Sequence, residues 1–163
     1  MKTILAITLI WLFSSVANAE YRKIDMTVFG MDCAPCAHAI HVSMKGIQGV
    51  NTVNVDLNTG LVTVALAPGN GAGMGLFQGA VKKNGFTYKG AAVVVRGKLT
   101  GTANAPILEV TGTSDHYALT PAAQPSNLTA LIGKTVEVDG LLSPAKKNQL
   151  PDTLRYKTIM VVQ

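Results

Sequence analysis

A strand-like run gives way to a helix-like one across a pair of cysteines, and that junction constrains this chain more than any other stretch. Gly30-Met31-Asp32-Cys33-Ala34-Pro35-Cys36 holds both cysteines of the sequence. Ahead of it Ile24, Met26 and Val28 alternate with Asp25 and Thr27, the pattern of a half-buried strand. Behind it Ala37, Ile40, Met44 and Ile47 recur at helical spacing, which puts Cys36 in the first helical turn. Unpaired backbone N–H groups and the positive end of the dipole at a helix start favour thiolate over thiol. Thiolate is the form that binds soft metals and the form that attacks disulfides. As a cross-link the pair encloses too few residues to restrict the unfolded chain much, so it reads as functional.

The compartment follows from the other end of the sequence. Lys2, the apolar run Ile4 to Phe13 and the Ala17-Asn18-Ala19 triplet have the layout of a cleaved secretory signal over residues 1–19. The apolar run is too short to span a bilayer, and no later stretch reaches the roughly 20 apolar residues that a crossing needs. The expectation is a periplasmic protein with no stable membrane insertion after cleavage. The formal net charge of +5 is spread out, with basic runs no longer than Lys82-Lys83 and Lys146-Lys147. That spread excludes an electrostatic nucleic-acid surface.

Beyond the cysteines the first half alternates in a readable way. Val53, Val55 and Leu57, then Val62, Val64 and Leu66, flank the turn Asn58-Thr59-Gly60 as a β-hairpin. The glycine-rich stretch Pro68 to Gly75 reads as a flexible loop; it lacks the Gly-Lys-Ser/Thr ending of a phosphate loop. Met74, Leu76, Phe77, Ala80 and Val81 give a second helical face closed at Gly85, and Phe86-Thr87-Tyr88 starts a strand. The order βαββαβ predicts an α+β, ferredoxin-like sandwich over residues 20–89.

These motifs, taken in order, resemble the heavy-metal-associated domain. The residues that carry the resemblance are Gly30-Met31-Asp32-Cys33-x-x-Cys36, Ile40, Gly46-Ile47-x-Gly49-Val50-x-x-Val53-x-Val55 and Gly85-Phe86. It covers about residues 22–89, and with the signal the layout is similar to the periplasmic mercury-binding members of that family. The resemblance implies a soft or borderline metal ion held by Cys33 and Cys36: Cu(I), Hg(II), or Zn(II), Cd(II) or Pb(II). It implies hand-over by ligand exchange to a metal-transporting membrane protein or efflux component. Met31 and Phe86 would form the outer shell, packing beneath and shielding the loop. Asp32 departs from the usual residue of the family. An Asp there recurs in its zinc, cadmium and lead modules, which makes Asp32 the candidate third ligand. Pro35 is also uncommon in the family, and C-x-P-C reads partly like a thioredoxin motif. A thiol–disulfide exchange protein is therefore the alternative function, and an accessory subunit of a metal efflux complex a third.

The second half carries no such signature. Val93 to Leu99, Ile107 to Thr111, Tyr117 to Leu119, Thr135 to Leu142 and Thr158 to Val162 read as strands, with a helical turn between Leu128 and Ile132. Three strands, a short helix and two strands predict a small all-β, OB-like barrel over residues 93–163, joined through a linker at 90–92. With Tyr117 and Tyr156 as its only aromatics, the expected role is docking or scaffolding, not base stacking. His38 and His41 lie three apart on the first helix but read as solvated, and His116 is isolated. No spacing yields a Ser-His-Asp set or a carboxylate pair, so no catalytic residues and no enzyme are expected.

Overall fold

The computed structural model describes residues 20–123, 127–143 and 152–162. The signal read at 1–19 lies outside them. Ten main elements follow in order: β1 (Tyr21–Phe29), α1 (Ala34–Lys45), β2 (Val50–Asp56), β3 (Leu61–Leu66), α2 (Met74–Lys83), β4 (Thr87–Thr102), β5 (Ala105–Glu109), β6 (His116–Pro121), β7 (Thr135–Leu142) and β8 (Thr153–Val161). The first six give the predicted βαββαβ order, in an antiparallel sheet ordered β2-β3-β1-β4.

Period-two patterning decides which face of that sheet is covered. Ile24, Met26 and Val28 of β1 and Val62, Val64 and Leu66 of β3 turn one way and are buried. They form one core with Ile40 and Met44 of α1 and Met74, Phe77 and Val81 of α2. Each such side chain taken fully from water stabilises the fold by about 1.5–3 kcal/mol. Leu76, expected on the buried face of α2, is instead 55% exposed. Met74, Phe77 and Val81, at i, i+3 and i+7, already fill the inward stripe, and Leu76 falls beside it.

The expected linker at 90–92 is not a linker. Those residues lie inside β4, a strand of 16 residues paired along both edges. Ala91 pairs with Met26 on one side and Leu142 on the other, and Val93 with Ile24 and Gly140. Between the pairs Met26–Ala91 and Val28–Tyr88 the register slips. Gly90, at φ 129°, takes up the extra residue in a conformation that side chains resist.

The remaining pairings close a ring. β4 pairs with β5, β5 with β6, β6 with β8, β8 with β7, and β7 returns to β4. All are antiparallel except β6–β8. The short 3-10 turn Thr129–Leu131 falls where a helical turn was predicted, between β6 and β7. Val95, Leu99, Leu108, Tyr117, Leu119, Val136, Val138 and Leu154 are buried in the same core. β8 begins at Thr153, earlier than the predicted Thr158, and its first residues make the parallel pairing with β6.

Candidate metal centre

β1 delivers the cysteine loop and α1 receives it. The strand ends at Phe29, and Gly30 turns the chain at φ 91°. Met31 is buried under the loop, whereas Asp32 stands exposed. Cys33 is the N-cap of α1 with extended backbone, and its sulfur accepts from the Cys36 N–H at 3.2 Å. A cysteine thus does the work that Ser, Thr, Asp or Asn does at most helix starts. Pro35 sits in the first turn, where a missing N–H costs nothing, and its fixed φ suits the helix.

The ligand atoms of Asp32, Cys33 and Cys36 lie within 4.8 Å of one another. That is the only such group of three among the described residues. Two sulfurs with one carboxylate oxygen suit a soft or borderline cation, because sulfur selects Cu(I), Hg(II) and Zn(II) while the oxygen favours the divalent ions. In the structure Cys33 and Cys36 are joined as a disulfide. A disulfide offers no thiolate, so ligation requires reduction first. The Cys36 N–H that points at the Cys33 sulfur is placed to donate to a thiolate there once the pair is reduced.

Of the two residues expected around the loop, Met31 is the buried one. Phe86 is half-buried, and a Cβ built on Gly30 would lie 3.8 Å from its ring, so the ring borders the loop. His38 is exposed on α1, His41 is half-buried, and neither joins the ligand group. His116 is far along the chain on β6, with Nδ1 3.2 Å from the Ser114 carbonyl. Sequence reasoning missed Phe29, which is 68% exposed immediately before the loop, with the Lys89 ammonium 5.5 Å from its ring centre. Its strand position, pointing away from Val28, was the available signal.

Residues 25–75 match the family model described as the heavy-metal-associated domain. No curated protein matches the chain. Among solved structures, the chain is similar to a yeast copper transporter domain at 22% identity and a TM-score of 0.38, over 41% of this chain and 90% of that one. It is similar to a copper-binding domain of a P-type ATPase at 25% identity and a TM-score of 0.38, over 44% of this chain and 92% of that one. The water-soluble region of the P-type ATPase CopA from Bacillus subtilis aligns at 31% identity and a TM-score of 0.40, over 53% of this chain and 58% of that one. Between β1 and the start of α2, with the Asp32–Cys33–Cys36 group in its first loop, this chain carries a heavy-metal-associated domain.

Proposed function

We propose that the protein is an exported carrier of a soft or borderline metal ion, bound by the Cys33 and Cys36 thiolates with Asp32 as third ligand. The observation that carries this reading is the convergence of the three ligand atoms within 4.8 Å on a surface loop. The match of residues 25–75 to the heavy-metal-associated family supports it. Two thiolates suffice for Cu(I) or Hg(II), which accept linear coordination; Zn(II), Cd(II) or Pb(II) would use Asp32 and a ligand from water or a partner. The metal is cargo. A metal-transporting membrane protein takes it by displacing one thiolate at a time, a route open because Asp32 leaves the loop accessible from solvent. Periplasmic location rests on the Ala17-Asn18-Ala19 signal layout. The ring β4-β5-β6-β8-β7, with its single parallel pairing and a helical turn between β6 and β7, supports reading the second half as an OB-type barrel.

The test is metal content and titration of the processed protein with its thiols kept reduced. One equivalent of Cu(I) or Hg(II) bound, and lost on changing either cysteine to serine, is the expected result. Affinity no better than that of a free dithiol would remove the carrier reading. The joined state of Cys33 and Cys36, with Pro35 between them, favours one second reading, thiol–disulfide exchange. Turnover in a disulfide reductase or isomerase assay would identify that activity.

A further inference from the structure

Glycine recurs at 69, 71, 73 and 75, and the metal centre does not use the run. It lies where the first half meets the barrel. Gly73 precedes α2, and a Cβ there would come within 3.3–3.4 Å of both carboxylate oxygens of Asp115, from the turn between β5 and β6. With no side chain in the way, Asp115 Oδ2 accepts the Met74 N–H at 2.7 Å. Met74 is the first residue of α2, and Gly73, its N-cap, has no side chain to supply that bond. The barrel therefore caps a helix of the other half.

The same oxygen accepts from Tyr21 Oη of β1 at 2.7 Å. Tyr21 also lies 2.6 Å from Tyr117 Oη of β6. Tyr21 has one hydroxyl proton, and the carboxylate takes it, so Tyr117 is the donor to Tyr21. Both phenols are protonated donors in neutral solution, and burial pushes them further up from their ordinary value. Asp115 itself is buried and rigidly held: its N–H donates to Thr113 Oγ1 at 3.1 Å, and its carbonyl accepts from Val110 N–H at 3.0 Å. On the same seam, Asn70 donates to the Tyr21 carbonyl at 2.9 Å.

We infer that the barrel is an intramolecular clamp on the metal module, with the Asp115 carboxylate as the positioning group that fixes the start of α2 and the start of β1 together. Glycine at 73 leaves that carboxylate room to reach the helix. This assigns the second half a role that does not depend on which metal, or whether any metal, binds at Cys33 and Cys36. A buried carboxylate left without donors, or donors left without a carboxylate, costs far more than the bonds contribute, so the clamp is specific to this pairing.

Amide hydrogen exchange on residues 20–163, read segment by segment, tests it. Asp115→Asn should speed exchange at residues 69–77 and 21–24 by tenfold or more while β7 and the closing end of β8 keep their protection. Tyr117→Phe, which leaves the carboxylate in place, should do the same to a smaller degree, and it serves if Asp115→Asn does not fold. Gly73→Ala, whose Cβ would make the carboxylate give way by a few tenths of an ångström, should raise exchange at 69–77 by less than Asp115→Asn. Unchanged protection at 69–77 in all the folded variants would overturn the clamp. So would a uniform rise through the whole chain, because that would make Asp115 one stabilising contact among many.

Discussion

The two halves of this molecule put their distinctive residues in opposite places. The first half exposes its chemistry: Asp32 stands in solvent at the outer tip of β1, beside the cysteines and the exposed ring of Phe29. The barrel does the reverse, burying Asp115, Tyr117 and Tyr156. The difference follows from β1. Its barrel end, Tyr21, is tied into the seam with Asp115, and its other end hands over to the metal loop. Those ends are separated by roughly 26 Å at the usual rise of an extended strand. The proposed carrier role asks for a reachable site on a held frame, and one strand joins the two while keeping them apart.

The sharpest way to break that comparison is to cut it. Severing the chain between Gly90 and Ala91 takes residues 91–95 away from β1, where they pair with Tyr21 to Met26, and separates Asp115 from α2. Neither residues 20–90 nor residues 91–163 alone should then show a cooperative thermal transition by circular dichroism. A cooperative melt from the first fragment at the temperature of the whole chain would make the halves separable after all.

Next in size come paired core truncations. Ile24 of the first half and Leu154 of the barrel are both fully buried. Replacing either with Ala should cost about 2–5 kcal/mol. Because β4 serves both halves, each change should shift one common urea transition. Two resolved transitions, each answering to one variant, would show that the halves unfold independently.

Alkali probes the seam more gently. Burial raises the phenols of Tyr21 and Tyr117, and it pushes Tyr88 up to about 12. A raised pKa means that the folded state holds its proton more tightly than the unfolded chain does. The stabilisation is therefore complete below the unfolded value near 10 and declines as pH rises through the folded values. Each phenol contributes up to about 1.4 kcal/mol per pH unit in that window. Tyr117→Phe should make the decline above pH 10 shallower; an unchanged slope in urea unfolding across pH 9 to 12 would contradict the buried cluster.

Smallest is the effect of Asp32, which concerns only the exposed end. Asp32→Ala should weaken Zn(II), Cd(II) or Pb(II) by roughly 1 kcal/mol or somewhat more, in the range of a charge-assisted contact, and Cu(I) by less. Competition titration measures both. Equal losses for all four ions would mean that the carboxylate acts through charge alone.

How much of this was legible beforehand depended on how local the determining interactions are. The alternation of Ile24, Met26 and Val28 and the helical spacing of Ile40 and Met44 are short-range patterns, so the first half and its cysteine loop could be read directly. Gly90-Ala91-Ala92 has linker composition, yet it is strand because Met26 and Leu142 come to Ala91, and Asp25 and Leu141 to Ala92, from distant sequence. The run around Gly73 was correctly read as loop, but its cause, Asp115, lies 42 residues further on, where no local pattern points back to it. Leu154 and Tyr156 sit in a polar-looking stretch whose strand character comes from pairing with β6 and β7. The site's ligands were visible because cysteine is rare in this chain; the seam was not, because tyrosine and aspartate are ordinary.

The most direct test of the central claim is a metal titration of one preparation in two redox states. The structure joins Cys33 to Cys36, and the same two sulfurs are the proposed ligands, so oxidation and metal binding must exclude each other. Reduced protein should bind one equivalent of Hg(II) or Cu(I), with Cys33→Ser or Cys36→Ser nearly abolishing it and leaving the fold's stability within about 0.5 kcal/mol of the reduced parent. Oxidised protein should bind none at that loop, and bound metal should protect the thiols from alkylation. Equal binding by the oxidised and reduced forms would place the metal elsewhere and contradict the account.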